Sequence, residues 1–273
     1  MGIAYAADDD GNIGEAILHH VEDANKIEIW PPNIYIPLPP KGSMELFGID
    51  FTITKHLLIM WVACLVLVLV FRRAFKNPSA VPSGLGNAFE AIVVFLRDEV
   101  IVPAMGEDGK RYLPYLLSVF FFILTCNLLG LIPWSATATG NISVTAGLAL
   151  ISLFMVQLGG IREHGLMHHA KNLVPPGIPF WLLPVMIPVE LLGQLTKPFA
   201  LCIRLYANMT AGHLVILSFL ALIFVMKSFV ITPVAVGFAL FINILEVFIA
   251  FLQAYIFTML TSLFMGMAIH PEH

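Results

Sequence analysis

Charge is the scarcest property of this sequence. Only 12% of its 273 residues are Asp, Glu, Lys or Arg, while 59% are hydrophobic and the mean hydropathy is +0.88. A soluble domain carries about 25% charged residues, so a water-soluble globule is excluded. The 14 basic residues form no face able to neutralise phosphates, which argues against nucleic acid as a partner. Cysteine is rare as well. Cys64, Cys126 and Cys202 each lie inside an apolar run, the ordinary place of a small buried thiol, so neither a disulfide nor a metal cluster is expected. A Gly-rich phosphate cradle, a G-x-S-x-G elbow and an H-E-x-x-H helix are all missing, which leaves soluble-type catalysis without support. No cofactor is expected. The chain shows no internal repeat or low-complexity tract, so the inverted repeats of many carriers are not evident. Its first residues, MGIAYAADDDGNIGEA, lack a basic stretch followed by an apolar one, so no cleavable signal peptide is expected; Ala6 breaks the myristoylation pattern.

What the sequence does have is long apolar runs, near 56–71, 113–133, 144–161, 182–226 and 229–269. About 20 helical residues cross a bilayer core. The last two runs exceed that and must tilt, break or hold two segments. Alternating ten-residue strands are absent, and only helices or closed barrels satisfy backbone groups in lipid. The fold expected is therefore an all-α integral membrane protein with five to six membrane helices, its solvent the lipid bilayer.

Two regions are expected. Residues 1–52 form an acidic N-terminal segment, with Asp8, Asp9, Asp10, Glu15, Glu22, Asp23, Glu28, Glu45 and Asp50, whose Pro-rich part PPNIYIPLPPKG reads as extended and interfacial. Residues 53–273 form the helical membrane domain. Arg72, Arg73 and Lys76 follow the first span, and Arg97, Lys110 and Arg111 follow them, so the positive-inside rule makes the loop 72–112 cytoplasmic and the N-terminus extracytoplasmic. The uncharged turn WSATATGN, 134–141, then faces outward, and Arg162 with Lys171 returns the chain to the cytoplasm. Within the cytoplasmic loop, 87–105 mixes apolar residues with Glu90, Arg97, Asp98 and Glu99 and reads as an amphipathic surface helix. Prolines 175, 176, 179, 184, 188 and 198 bring the chain back into the bilayer through turns and kinks before a long bent helix over about 185–226.

Against this background, CIRLYANMTAGHLVIL at 202–217 is unexpected, because it places Arg204, Asn208 and His213 in the middle of a membrane helix. At about 100° per residue, Glu190, Lys197, Arg204 and Ala211 return to one face, with Asn208 about 40° away and His213 on the opposite side. Ala200, Ala207 and Ala211 flank the arginine, and small residues let a second helix approach. The last helix repeats the habit: Glu246 and Gln253 share a face, Asn243 lies about 60° off, and Tyr255 is opposite. Asn127, Asn208, Asn243 and Gln253 have a plain reading as interhelical hydrogen-bond glue, Lys197 as a bridge to Glu190, and Glu246 with His213 as a neutralised packing pair. Arg204 is harder to dismiss. It is too far from either helix end to snorkel, and a charge at the bilayer centre costs at least about 2.5–3.5 kcal/mol, so it is a functional candidate by default. A competing cluster is EHGLMHHAKN at 163–172, where His164, His168 and His169 have a spacing able to ligate iron; a di-iron site needs several such boxes, and the other histidines supply none.

LTKPFALCIRLYANMTAGHL at 195–214, LQAYIFTMLT at 252–261 and NLLGLIPW at 127–134 together resemble the a-subunit family of rotary, proton-translocating ATP synthases, in a segment order that matches over roughly residues 45–273. The resemblance implies a bundle whose last two helices, about 182–226 and 229–269, form a strongly tilted hairpin against a rotating ring of c subunits. It also implies peripheral-stalk subunits of the b type as partners and no catalytic site on this chain; the acidic tail and the absence of a transit peptide favour the inner membrane of a bacterium over a thylakoid-like system. Proton translocation then falls to Arg204, Asn208, His213, Glu246, Gln253, Glu190 and Lys197. In many relatives the position of His213 is acidic and that of Glu246 is histidine; here the two are exchanged, and an acid facing an imidazole works as a relay in either order. The mechanism implied has two offset half-channels that load and unload a ring carboxylate, with Arg204 between them preventing a short circuit. Two other readings stay open: an ion-coupled secondary transporter with Arg204 binding an anionic substrate, and a membrane di-iron oxidase.

Overall fold

The computed structural model describes residues 26–29, 34–37, 39, 45–46, 49–50, 52, 54–76, 84–132, 137–172, 180–226 and 231–270. Most of the acidic tail, the loop holding Pro175, Pro176 and Pro179, and the first part of the 134–141 turn lie outside them. Of the N-terminal segment the structure gives two small antiparallel hairpins, β1 (Lys26–Ile29) with β2 (Ile34–Pro37) and β3 (Glu45–Leu46) with β4 (Ile49–Asp50). Lys26 pairs with Pro37 and Ile29 with Ile34, so part of the Pro-rich stretch is extended and sheet-paired.

The rest is helical: α1 (Lys55–Ala74), α2 (Leu85–Phe95), α3 (Val102–Met105), α4 (Gly109–Gly130), α5 (Ile142–Asn172), α6 (Leu183–Met226) and α7 (Ile231–Ile269). Five helical stretches are long and apolar enough to cross a membrane: Lys55–Ala74, Leu85–Gly130, Ile142–His164, Pro184–Ile223 and Thr232–Ile269. The chain is thus an all-α multi-pass membrane protein. In α1, Trp61, Leu65 and Val68 recur at helical spacing and are exposed, a stripe suited to lipid. Between α2 and α3 six residues, Leu96–Ile101, wind as a π-helical turn. Pro103 explains the widening, since it has no N–H to offer the carbonyl of Glu99. Gly165, at φ 74°, interrupts α5, and its left-handed backbone ends the spanning part of that helix at His164.

The long helices α6 and α7 have 44 and 39 residues. At 1.5 Å per residue they are about 66 and 58 Å long, against a hydrocarbon core of about 30 Å, so each lies steeply inclined to the membrane normal or projects far beyond it. Pro188 and Pro198 lie inside α6 without ending it.

The chain divides into two compact units: residues 1–66, 123–141 and 205–252, and residues 67–122, 142–204 and 253–273. In the first, α6 and α7 meet through stacked Phe219 and Phe238, with centroids 5.6 Å apart. Its turn 137–141 folds inward, burying Thr137, Ala138 and Thr139. There Thr139 Oγ1 donates to Asn127 Oδ1 at 2.7 Å, and Asn127 Nδ2 donates to the Ala250 carbonyl at 3.4 Å. Gly130 permits this fold, because a Cβ there would stand 2.6 Å from Thr137 Cγ2. In the second unit Phe71, Phe89 and Phe121 join α1, α2 and α4, with centroids 4.9 to 5.7 Å apart. A clasp of Arg111–Glu163 at 3.2 Å, His270–Asp108 at 3.2 Å and His164 Nε2 to the Ile269 carbonyl at 2.7 Å ties α4, α5 and α7.

Candidate functional site

The middle of α6 separates into two edges. Leu201, Cys202, Leu205 and Met209 are buried, between 0% and 6% exposed. Arg204, Ala207, Asn208 and Ala211, by contrast, are exposed among the described residues. Hydrophobic burial of one edge therefore fixes the helix so that the other presents a guanidinium between two alanines. Among the described residues no acid forms an ion pair with Arg204. A cation within an apolar membrane helix, flanked by small side chains that let another helix approach, is a functional candidate by default.

In the first unit, α7 sends Glu246 against α6 at Gly212. The acid is 3% exposed. A Cβ at Gly212 would overlap Glu246 Oε1 and lie 2.7 Å from its Cδ and 2.9 Å from its Cγ. Glycine is thus required by a close approach, and the carboxyl group lies beside the residue that precedes His213. His213 and Asn243 are half-buried. Replacing Gly212 with alanine is expected to leave assembly intact, because the atoms met belong to a flexible side chain, but to push the carboxyl aside. A displacement near 1 Å costs roughly ten- to a hundredfold in a positioned reaction. The activity of the assembled protein in vesicles measures it, and activity at the parent rate would show that the contact does not matter.

In the second unit, Gln253 is buried at 3% exposed. Glu190 and Lys197 line a cavity of about 150 Å³ together with Gln194 of α6, Ser152 and Gln157 of α5, and Thr261 of α7. No ion pair joins Glu190 to Lys197 among the described residues; instead Lys197 Nζ stands over the Phe264 ring, 5.0 Å from its centroid. Gln157 Nε2 donates to Gln194 Oε1 at 2.7 Å, and Tyr115 donates to Ser152 Oγ at 3.1 Å on the cavity's α5 wall. Sequence reading did not single out Gly212, Gln157, Gln194 or Thr139. For the two glutamines the available signal was a lone amide in an apolar span; for Gly212 it was a glycine directly before a polar residue.

Among the described residues no group of three His, Cys, Asp or Glu could hold an ion, and the His164 ring is engaged by the Ile269 carbonyl. The side chains of His168 and His169 lie outside the described residues.

The model of the ATP synthase A chain family matches residues 57–266. ATP synthase subunit a of Chloroherpeton thalassium is 46% identical over 265 residues, covering 94% of this chain and 77% of that protein. ATP synthase subunit a 2 of Chlorobium luteolum is 45% identical over 98% of this chain and 79% of its own length. ATP synthase subunit a of Myxococcus xanthus is 48% identical over 82% and 75%.

Proposed function

The chain belongs to the ATP synthase A chain family, and from that premise we propose that it is the stator subunit that carries protons to and from a carboxylate on a ring of c subunits. It carries no catalytic site of its own; ATP is made elsewhere in the complex, with peripheral-stalk subunits of the b type holding this chain still. The membrane is the bacterial inner membrane, with the N-terminus outside and the 72–112 loop in the cytoplasm, as the placement of Arg72, Arg73 and Lys76 argues.

The observation that carries this reading is the exposed Arg204 edge of α6 and the polar groups that flank it along the helix. Glu190 and Lys197, on the polar cavity, precede Arg204, while Gly212 and His213, beside Glu246, follow it. With a rise of 1.5 Å per residue, Lys197 lies about 10 Å before the arginine and His213 about 14 Å after it. In the orientation above, the His213/Glu246 set is the outer path and the Glu190/Lys197 cavity the cytoplasmic path. A proton entering from outside passes His213, Glu246 and Gln253 and neutralises the ring carboxylate, which then travels through lipid where its ionised form is too costly. Released into the cytoplasmic cavity, it leaves a carboxylate that Arg204, with Asn208 on the same edge, attracts. A guanidinium stays protonated in proteins, so it holds the anion without passing a proton between the two paths.

Gentle detergent extraction tests the assignment. The chain is expected to co-purify with a ring of small hairpin subunits; substrate-dependent transport by the chain alone in liposomes would favour a carrier instead.

A further inference from the structure

The cavity beside Glu190 and Lys197 contains a hydrogen bond that the reading above does not use. Gln157 of α5 and Gln194 of α6 meet across it, Nε2 to Oε1 at 2.7 Å. Gln194 is four residues after Glu190 and three before Lys197, so acid, amide and ammonium follow one another on one helix face. Along that face the amide stands between Glu190 and Lys197, the two ionisable groups among the described residues that line the cavity. An amide neither takes up nor releases a proton near neutral pH, so this pair cannot itself relay one. It can orient water: the bond uses one N–H and one carbonyl, and Gln194 Nε2 keeps N–H groups for a neighbouring water. The cavity, at about 150 Å³, has room for several.

We propose that the Gln157–Gln194 amide pair is the polar constriction of the cytoplasmic path, a positioning element that orders the water by which protons pass Glu190 and Lys197. The proposal rests on the assignment of this cavity as that path. Its chemistry is that of pore constrictions in general: a ring of polar groups keeps a narrow place wet, and an apolar one gates by dewetting. Apolar replacement of either glutamine breaks the bond between them and dries the passage.

The experiment uses the assembled complex in vesicles, stripped of its soluble catalytic part so that passive proton conduction is read directly. Gln157→Leu and Gln194→Leu are expected to slow conduction about tenfold, the size of one lost hydrogen bond, with the ring still bound. Protonated, Gln157→Glu donates to Gln194 Oε1 as the parent amide does, and ionised it accepts from Gln194 Nε2 once that amide turns over. It is expected to restore conduction relative to Gln157→Leu and to add an inflection to its pH profile. A pair that merely glued α5 to α6 would give no such inflection, whatever its effect on stability. Parent-like conduction by Gln157→Leu overturns the proposal. Should Gln157→Leu fail to assemble, Gln157→Glu decides alone, and an unchanged pH profile overturns it.

Val156→Cys, in the same cavity, separates this proposal from the reading beneath it. Reaction with a water-soluble thiol reagent from the cytoplasmic side, combined with unaffected glutamine variants, sinks the constriction and leaves the path. An unreactive thiol, together with normal conduction by Glu190→Gln, sinks the path itself.

Discussion

Replacing Arg204 with alanine is expected to abolish both gradient-driven ATP synthesis and ATP-driven proton pumping, while the complex still assembles. The side chain lies on the exposed edge of α6, so its removal leaves no cavity in the core and no acid orphaned among the described residues. On the function proposed above, what is lost is the attraction for the ionised ring carboxylate. At about 4 Å and an effective dielectric near 20, that attraction is about 4 kcal/mol, or roughly a thousandfold in the population of the anion at the stator. Without it the carboxylate has no reason to stay ionised between the two paths, and protons cross there without turning the ring. Lysine is a poor substitute. Its ammonium is a compact point charge that loses its proton readily when desolvated, so Arg204→Lys is expected to stay well below the parent in coupled synthesis.

The second large effect concerns His213 and Glu246. The glutamate is buried against Gly212, directly before the histidine in sequence, so the two titratable groups come from adjoining positions of the α6–α7 hairpin. His213→Glu places two acids in this region and Glu246→His two imidazoles; in each case the complementary donor and acceptor are gone. The exchange His213→Glu with Glu246→His restores one of each. Neighbouring residues typically couple by 0.5–3 kcal/mol, so the double variant is expected to pump about ten times faster than either single one. ATP-driven acidification of inverted vesicles reads all three. Equal inactivity in the three would mean that the pair does not act as a relay.

Which of these features the sequence reveals follows from the range of the forces behind them. Hydropathy is a local property that sums along the chain, so the five apolar helices, including α6 and α7, are legible without coordinates. Arg204 is legible for the same reason, because its cost is set by the length of apolar sequence on both sides rather than by any partner. The Gly212–Glu246 approach is different: it depends on where α7 crosses α6, which no periodicity in either helix specifies. Gln157 and Gln194 are 37 residues apart on separate helices, and a lone amide in an apolar span looks the same whether it faces lipid, a neighbour or a cavity. The inward fold of Thr137–Thr139 was hidden for a further reason: an uncharged turn after a span reads as an outer loop, whereas burial here is supported by Asn127 and by the missing side chain of Gly130. The π-helical turn before Pro103 and the N-terminal hairpins are local compromises between proline and backbone hydrogen bonding, and the Pro-rich segment signals extension without its pairing.

The central claim is that Arg204 separates two aqueous paths, and it is tested most directly with rotation prevented. A complex whose ring is covalently locked to this chain should hold an imposed proton gradient when Arg204 is present. The same locked complex carrying Arg204→Ala should let the gradient collapse, because protons then pass from one path to the other at a stationary carboxylate. Locked vesicles of the Arg204→Ala variant that stay as tight as the parent would contradict the separator role and leave the guanidinium with some other task.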